Sequence, residues 1–180
     1  MNDPSLVFTL LFSALLVLGL LTKFYLATRQ IRHVAKHRNQ VPAAFASTIT
    51  LAAHQKAADY TIAKARLGLL EMAFASALLL GWTLLGGIDL LNRAIVNSGL
   101  TAYGSLVPQL VLLAAFGLIS GLLDLPFTLY KTFRLEERFG FNKMTFKLWL
   151  ADLVKSTLVG IVVGLPIVAL ILWLMGSATM

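Results

Sequence analysis

Two histidines one helical turn apart, His33 and His37, are the first residues of this chain whose spacing could support chemistry. An i,i+4 pair puts both imidazoles on one helix face. There they could hold zinc if a glutamate followed the first histidine as general base, in the pattern H-E-x-x-H. The intervening residues are Val34, Ala35 and Lys36, so a competing positive charge is present and a carboxylate is not. We therefore predict no metal ligand in this chain.

Other reactive side chains also lack partners in the sequence. Ser120 and Ser156 lie in apolar stretches without His and Asp companions, and no Gly-x-Ser-x-Gly pattern occurs. Gly86 and Gly87 are not followed by the lysine of a phosphate-binding loop. The chain has no cysteine, which excludes thiolate sites. We expect no catalytic and no cofactor-binding residue here, and no activity from this chain alone.

The elements that would position any functional group are membrane helices. The chain has 180 residues, of which 58% are hydrophobic and 13% charged, against the roughly 45–50% apolar content of globular domains. Four runs reach the ~20 residues needed to cross a bilayer. We predict an all-α integral membrane protein with four transmembrane helices and a long cytoplasmic helical extension, Ala43 to Arg66, between spans one and two. The predicted spans are residues 6–26, 67–91, 106–130 and 153–175.

The positive charges indicate orientation rather than nucleic-acid binding, because they flank apolar runs. Lys and Arg concentrate in residues 27–66 and 131–152, and by the positive-inside rule both loops are cytoplasmic and both termini lie outside. The basic loops would meet anionic membrane lipids. Asp3 and the absence of an Ala-x-Ala site argue against a cleaved signal peptide. Without a C-terminal retention signal, we predict a bacterial inner membrane.

Small residues recur at four-residue spacing in three of the spans. Such residues let helix backbones approach closely in lipid, where little hydrophobic drive remains. An alternative is that they reflect composition only. The predicted packing residues are Ala73, Ala77, Gly81, Gly117, Gly121, Gly160 and Gly164.

Asp124 is a carboxylate within a predicted span, near the cytoplasmic end of that span. Burying a charge in lipid is costly, so polar residues inside spans are candidates for function. Asp124 either contacts a polar domain or cavity water, or pairs with a neighbouring Lys or Arg, and we favour the pairing.

The segment between spans three and four, residues 131–145, interleaves charges with phenylalanines, unlike a plain polar connector. Its residues Phe133, Glu136, Glu137, Arg138, Phe139, Gly140, Phe141 and Asn142 resemble the signature that precedes the catalytic part of the CAAX prenyl protease family, the type I membrane zinc metalloendopeptidases. The loop after span one is similar to the corresponding loop of that family at Val41, Pro42, Phe45, His54, Gln55, Lys56, Asp59, Tyr60 and Lys64.

This resemblance implies that residues 1–180 are a single N-terminal transmembrane domain of a longer enzyme and that the catalytic zinc domain is absent. By the same resemblance, the helices would help wall an intramembrane chamber, and the full-length enzyme would cleave prenylated or membrane-associated peptides with a zinc-bound water. The missing domain would dock on Glu136, Glu137, Arg138, Phe139, Gly140, Phe141 and Asn142. Within this segment, Gly140 lies between two phenylalanines and suits a turn that needs a positive φ. Asn142 is expected to cap a helix that begins near Lys143.

The residues leave other interpretations open. Residues 131–145 could instead be an interfacial amphipathic loop whose aromatic rings rest among lipid headgroups. The four spans could act alone as a non-catalytic membrane interaction protein. A small transporter is less favoured, because Asp124 is close to the interface and no internal repeat is visible.

Overall fold

The computed structural model describes residues 4–178, and in that range every regular element is helical. Four helices are long and apolar enough to cross a membrane, which confirms the predicted all-α membrane class with four spans. Three short helices complete the chain: Ala43–Phe45 and Leu100–Tyr103 are 3₁₀ helices, and Lys131–Glu136 is a π-helix. The α-helices are α1 Pro4–His37, α2 Leu51–Thr83, α3 Gly87–Asn97, α4 Leu106–Tyr130 and α5 Phe146–Ala178.

The spanning helices have different ends from the apolar runs that predict them. α1 continues past residue 26 to His37, and α5 begins at Phe146 rather than residue 153. A helix continues into charged sequence because each added residue still closes a backbone hydrogen bond. α2 begins at Leu51 rather than Ala43, where Thr50 caps it by accepting a hydrogen bond from the Ala53 N–H at 3.2 Å.

A glycine pair ends α2 before the predicted residue 91. Gly86 has a φ of +80°, a left-handed conformation that side chains with a Cβ disfavour. A Cβ on Gly87 would lie 2.8 Å from the Gly81 carbonyl oxygen and 2.9 Å from Trp82 Cε3. The chain therefore turns at residues 84–86, and α3 starts as a separate helix of 11 residues.

The end of α4 is modified by a proline and a widened turn. Pro126 has no N–H, so it leaves the Leu122 carbonyl without its usual helical donor. The helix continues to Tyr130 and then becomes the π-helix Lys131–Glu136. Single π-turns are frequent at functional sites. Leu135, within this turn, is only 6% exposed.

The described residues form two compact units. The first contains the chain up to Leu80 together with Leu129–Phe141, and the second contains Gly81–Thr128 and the chain from Asn142 onward. Buried apolar residues of the first unit are Ala58, Leu67, Leu135 and Phe139, and those of the second are Ile95 and Trp149. Most large apolar side chains on the spanning helices are exposed, as expected where lipid replaces a protein core.

We expect Gly87→Ala to destabilise the second unit by about 1 to 3 kcal/mol, because its new methyl group would overlap the backbone of α2. Gly81→Ala is the matched control: its Cβ would meet nothing within 4 Å, and its effect should stay within about 0.5 kcal/mol. Thermal unfolding of the purified chain in detergent, followed by circular dichroism, measures both. Equal stability of the two variants would contradict the close approach at Gly87.

Candidate functional site

The first unit brings together side chains from three segments that are distant in the sequence. One segment follows α1, one is the first third of α2, and one follows the π-helix. Their ion pair and aromatic contacts form what we call the juxtamembrane cluster: Arg38, Asp59, Tyr60, Arg138, Phe139 and Phe141.

The cluster contains a two-point ion pair. Arg38 Nε lies 2.6 Å from Asp59 Oδ1, and Arg38 Nη2 lies 2.7 Å from Asp59 Oδ2. The hydrogen bond with Asp59, and secondarily its negative charge, raise the pKa of the Arg38 guanidinium above its ordinary value. Such fork-to-carboxylate pairs are among the strongest and most directional polar contacts in proteins. The pair therefore fixes the chain that leaves α1 against α2.

Neighbouring side chains extend this attachment. Asn39 Oδ1 accepts hydrogen bonds from Gln55 Nε2 at 2.9 Å and from Arg38 Nη1 at 3.2 Å. His54 Nε2 lies 3.0 Å from the His37 carbonyl oxygen and donates to it. The end of α1 and the start of α2 are thus joined by side-chain hydrogen bonds as well as by the connecting loop.

Tyr60 is the aromatic centre of the cluster. Its ring meets Phe139 edge-on with centroids 5.3 Å apart, and Phe141 in the same manner at 4.8 Å. Phe139 is 8% exposed, whereas Phe141 is 51% exposed. The ammonium of Lys56 lies 5.6 Å from the Phe141 centroid, and the Arg138 guanidinium lies 5.7 Å from that of Phe139. Edge-to-face pairs and cations over rings are both favourable geometries.

A glycine turn allows two rings so close in sequence to reach one tyrosine. The Phe141 N–H donates to the Glu136 carbonyl and the Gly140 N–H to the Glu137 carbonyl, both at 2.9 Å. This is the Schellman arrangement that ends a helix with a left-handed residue. Gly140 has a φ of +72°, which confirms the positive φ predicted for it.

Asn142 and Thr145 organise the start of α5. Asn142 Oδ1 accepts a hydrogen bond from the Met144 N–H at 2.7 Å, which forms an Asx turn. The helix cap itself is Thr145, whose Oγ1 lies 3.3 Å from the Leu148 nitrogen. The sequence interpretation gave Asn142 the capping role. The structure instead gives it the preceding turn, because α5 begins at Phe146 and not near Lys143.

The predicted docking residues, Glu136 to Asn142, are therefore partly used within the chain. Phe139 is buried against Tyr60, while Glu137, Arg138, Gly140 and Phe141 are exposed. Their role in docking a further domain stays a prediction.

The predicted packing glycines line an open groove in the second unit. Gly117, Gly121, Gly160 and Gly164 border an apolar cavity of about 580 Å³. A Cβ on any of these four, or on Gly81, would meet nothing within 4 Å. Ala73 and Ala77 are exposed on α2. The described residues thus place no atom where side chains at these five glycines would lie, and the packing role of all seven positions stays a prediction.

Asp124 is exposed on α4. Within residues 4–178, the ion pairs formed by Arg38 with Asp59 and by Arg93 with Asp89 do not include it. The favoured pairing of Asp124 with a neighbouring cation therefore has no counterpart in the described residues.

The histidines do not fit a metal ion. The ring centroids of His33 and His37 are 4.3 Å apart, but His37 Nδ1 donates a hydrogen bond to the His33 carbonyl oxygen at 2.8 Å and is not available as a metal ligand in this geometry. In the part of the chain that the structure describes, no group of three or more His, Cys, Asp or Glu residues could hold a metal ion. The zinc that the resemblance implies thus has no fitting ligand set among residues 4–178.

No sequence motif assigns a role to Arg38, Asp59 or Tyr60, and Asp59 and Tyr60 enter only through the family resemblance of the loop. One signal was available: Asp59 is the single acidic residue between Asp3 and Glu71, a stretch with many lysines and arginines. An isolated carboxylate in a basic region is a strong candidate for a specific ion pair.

Helices of spanning length and a structured juxtamembrane segment define the class, a polytopic α-helical membrane protein. The family described as CAAX prenyl protease N-terminal, five membrane helices, matches residues 30–179. This chain belongs to that family, which confirms the resemblance. The family description counts five membrane helices, whereas residues 4–178 contain four that are long enough to span. α3, at 11 residues, extends only about 16 Å.

Relatives and a solved structure agree with this assignment. The chain is 43% identical over 76 residues to CAAX prenyl protease 1 homolog of Oryza sativa, covering 42% of this chain and 18% of the relative. It is 27% identical over 179 residues to CAAX prenyl protease 1 of Saccharomyces cerevisiae, covering 96% of this chain and 39% of the relative. The crystal structure of S. mikatae Ste24p superposes with a TM-score of 0.83 at 27% identity, over 94% of this chain and 39% of that one. The chain thus spans about two fifths of the yeast relative.

The ion pair can be tested by a double-mutant cycle with Arg38→Ala and Asp59→Ala. Each single variant should lower the thermal unfolding midpoint of the chain in detergent. The fall in the double variant should be smaller than the sum of the two single falls, because the two side chains act through one interaction. Arg93→Ala with Asp89→Ala, the exposed i,i+4 pair on α3, serves as control and should show weaker coupling. Additive effects at Arg38 and Asp59 would contradict the two-point contact.

The two phenylalanines should differ in their contribution to stability. Phe139→Ala is expected to cost about 3 to 5 kcal/mol of unfolding free energy, because it opens a cavity at a buried ring. Phe141→Ala should cost about 1 to 2 kcal/mol, since it loses mainly an edge-to-face contact. Chemical denaturation of the two variants in the same detergent measures the difference. Equal losses would show that Phe139 is not the buried anchor.

Proposed function

We propose that this chain is the N-terminal membrane scaffold of a CAAX-prenyl-protease-like zinc metalloendopeptidase. The observation that carries the proposal is the family match over residues 30–179, supported by the superposition with Ste24p over 94% of the chain. In the full-length enzyme the substrate would be a prenylated or membrane-associated peptide. The zinc ligands would lie in the part of the enzyme that this chain does not cover, and the residues described here would provide shape and attachment.

The scaffold would help wall an intramembrane substrate chamber. The groove bordered by Gly117, Gly121, Gly160 and Gly164 supports this role, because it is open, apolar and about 580 Å³ in volume. Ligand sites of a few hundred Å³ accept extended organic groups. The absence of Cβ atoms along the groove keeps room for an aliphatic chain or for another helix.

The catalytic domain would dock on Glu136 to Asn142. Two features support this role: the buried ring of Phe139 anchors the segment to α2, and the exposed Glu137, Arg138 and Phe141 lie beside the anchor. A charged and aromatic surface held on a rigid turn is suited to protein recognition. As an interfacial loop, the same residues would instead contact lipid headgroups.

The orientation follows from charge. We infer that residues 27–66 and 131–152, including the first turns of α2, face the cytoplasm and that both termini lie outside. A bacterial inner membrane stays a prediction of the sequence alone. The relatives described above are eukaryotic.

A second candidate function is a non-catalytic membrane interaction protein that acts through its four spans. The open glycine-lined groove favours it, because such a surface accepts a helix of a separate membrane protein as readily as a helix of the same chain.

A chimaera separates these functions. Residues 30–179 of this chain would replace the matching region of the S. cerevisiae relative, and cleavage of a farnesylated CAAX peptide would be measured in membranes. We expect cleavage by the chimaera and none by the 180-residue chain alone. A chimaera that also carries Glu137→Ala, Arg138→Ala and Phe141→Ala should cleave about tenfold more slowly, which corresponds to a loss of about 1.4 kcal/mol in the free energy of docking. Leu85→Ser, at a side chain 82% exposed outside the segment, is the control and should leave cleavage unchanged. A folded but inactive chimaera would contradict the scaffold role.

A further inference from the structure

A cavity in the first unit is lined by three arginines that belong to neither of the ion pairs found among residues 4–178. The cavity has a volume of about 290 Å³, and Arg66 of α2 lines it together with Arg134 and Arg138 of the segment after α4. The ion pairs Arg38 with Asp59 and Arg93 with Asp89 use none of the three. The carboxylate of Asp59 attracts Arg138 at longer range, but its two oxygens are bonded to Arg38. In residues 4–178 no acidic side chain lines the cavity.

The remaining walls of the cavity are apolar and aromatic. Leu67 and Leu70 of α2 continue from Arg66 toward the spanning part of the helix, and Tyr130 closes the end of α4. Tyr130 is 54% exposed and Leu70 is 62% exposed, so both are open to a ligand. A phenol hydroxyl can donate a hydrogen bond to an anionic oxygen. The cavity is therefore cationic at one end and apolar at the other.

The position of the cavity in the sequence relates it to the membrane surface. Arg66 is the last basic residue before the long apolar run of α2, and Arg134 follows the apolar run of α4 by a few residues. Charged groups at the ends of apolar helices lie at the level of lipid headgroups. Basic pockets between helices at this depth bind anionic headgroups, whose phosphate matches the planar fork of arginine.

We propose that this cavity binds the phosphate-bearing headgroup of an anionic phospholipid, with the guanidiniums of Arg66, Arg134 and Arg138 on the phosphate and an acyl chain along Leu70. The volume is sufficient for a headgroup but not for a whole lipid, so the acyl chains remain in the bilayer. Arg138 is already held over the buried ring of Phe139 at 5.7 Å, so less side-chain freedom is lost on binding. Arg138 also belongs to the proposed docking segment, and lipid binding to the 180-residue chain is therefore measured separately from proteolysis.

The test uses the 180-residue chain in non-ionic detergent with added phosphatidylglycerol or phosphatidylcholine, and native mass spectrometry measures lipid bound per chain. We expect tighter binding of phosphatidylglycerol, and a loss of about tenfold or more in the Arg66→Gln, Arg134→Gln, Arg138→Gln variant. The control Arg29→Gln, Arg32→Gln, Lys36→Gln removes the same charge from exposed positions of α1. It should retain binding within about threefold, because these residues do not line the cavity.

Three results would overturn the proposal: equal loss in both glutamine variants, equal binding of the two lipids to the wild-type chain, or full displacement of phosphatidylglycerol by inorganic phosphate. The last would make free phosphate the ligand. If circular dichroism shows that the triple glutamine variant of the cavity arginines loses helicity, the variant with lysine at the same three positions is measured instead. Retained preference for phosphatidylglycerol supports the site, and loss of that preference with intact helicity overturns it.

Discussion

The packing of Phe139 against Tyr60 is the contact on which the first unit depends. It joins the segment after α4 to the first third of α2, and its ring is among the few side chains that protein rather than solvent or lipid covers. The Schellman turn at Gly140 adds a second ring to this contact, because the left-handed residue reverses the chain direction and lets Phe141 reach the same tyrosine. The two-point bond between Arg38 and Asp59 then attaches the end of α1 to the same helix.

The second unit follows a different principle. Its helices expose large apolar side chains along their length, and the glycines Gly117, Gly121, Gly160 and Gly164 face open space. In water such a surface would aggregate, but in a bilayer it is the ordinary covering of a spanning helix, and helix contacts depend on close packing rather than burial. The one tight backbone approach that the structure shows is at Gly87, where the chain leaves α2 and α3 begins. In the second unit, the close backbone contact therefore lies at a helix end and not between helix faces.

These two arrangements suit a protein that supplies shape. The chain belongs to the N-terminal membrane region of CAAX prenyl proteases, and it spans about two fifths of the yeast relative. Its well-packed polar and aromatic contacts lie in the juxtamembrane cluster, while its spanning helices present open apolar surface. The proposed scaffold role requires well-packed contacts at the attachment point and open surface along the helices, and this division among the described residues is consistent with it.

The sequence by itself determined the helical membrane class, the four helices of spanning length among residues 4–178 and the family, because these depend on the length of apolar runs and on local motifs. It also predicted the positive φ of Gly140, which a glycine between two aromatic residues indicates locally. Tertiary structure decided the partners of Asp59 and Phe139, which lie in other segments of the chain. It likewise set the ends of α1 and α5, since helices continue through charged residues until a cap or turn stops them. Contacts between segments depend on where each helix lies in space, and no local pattern of residues contains that information.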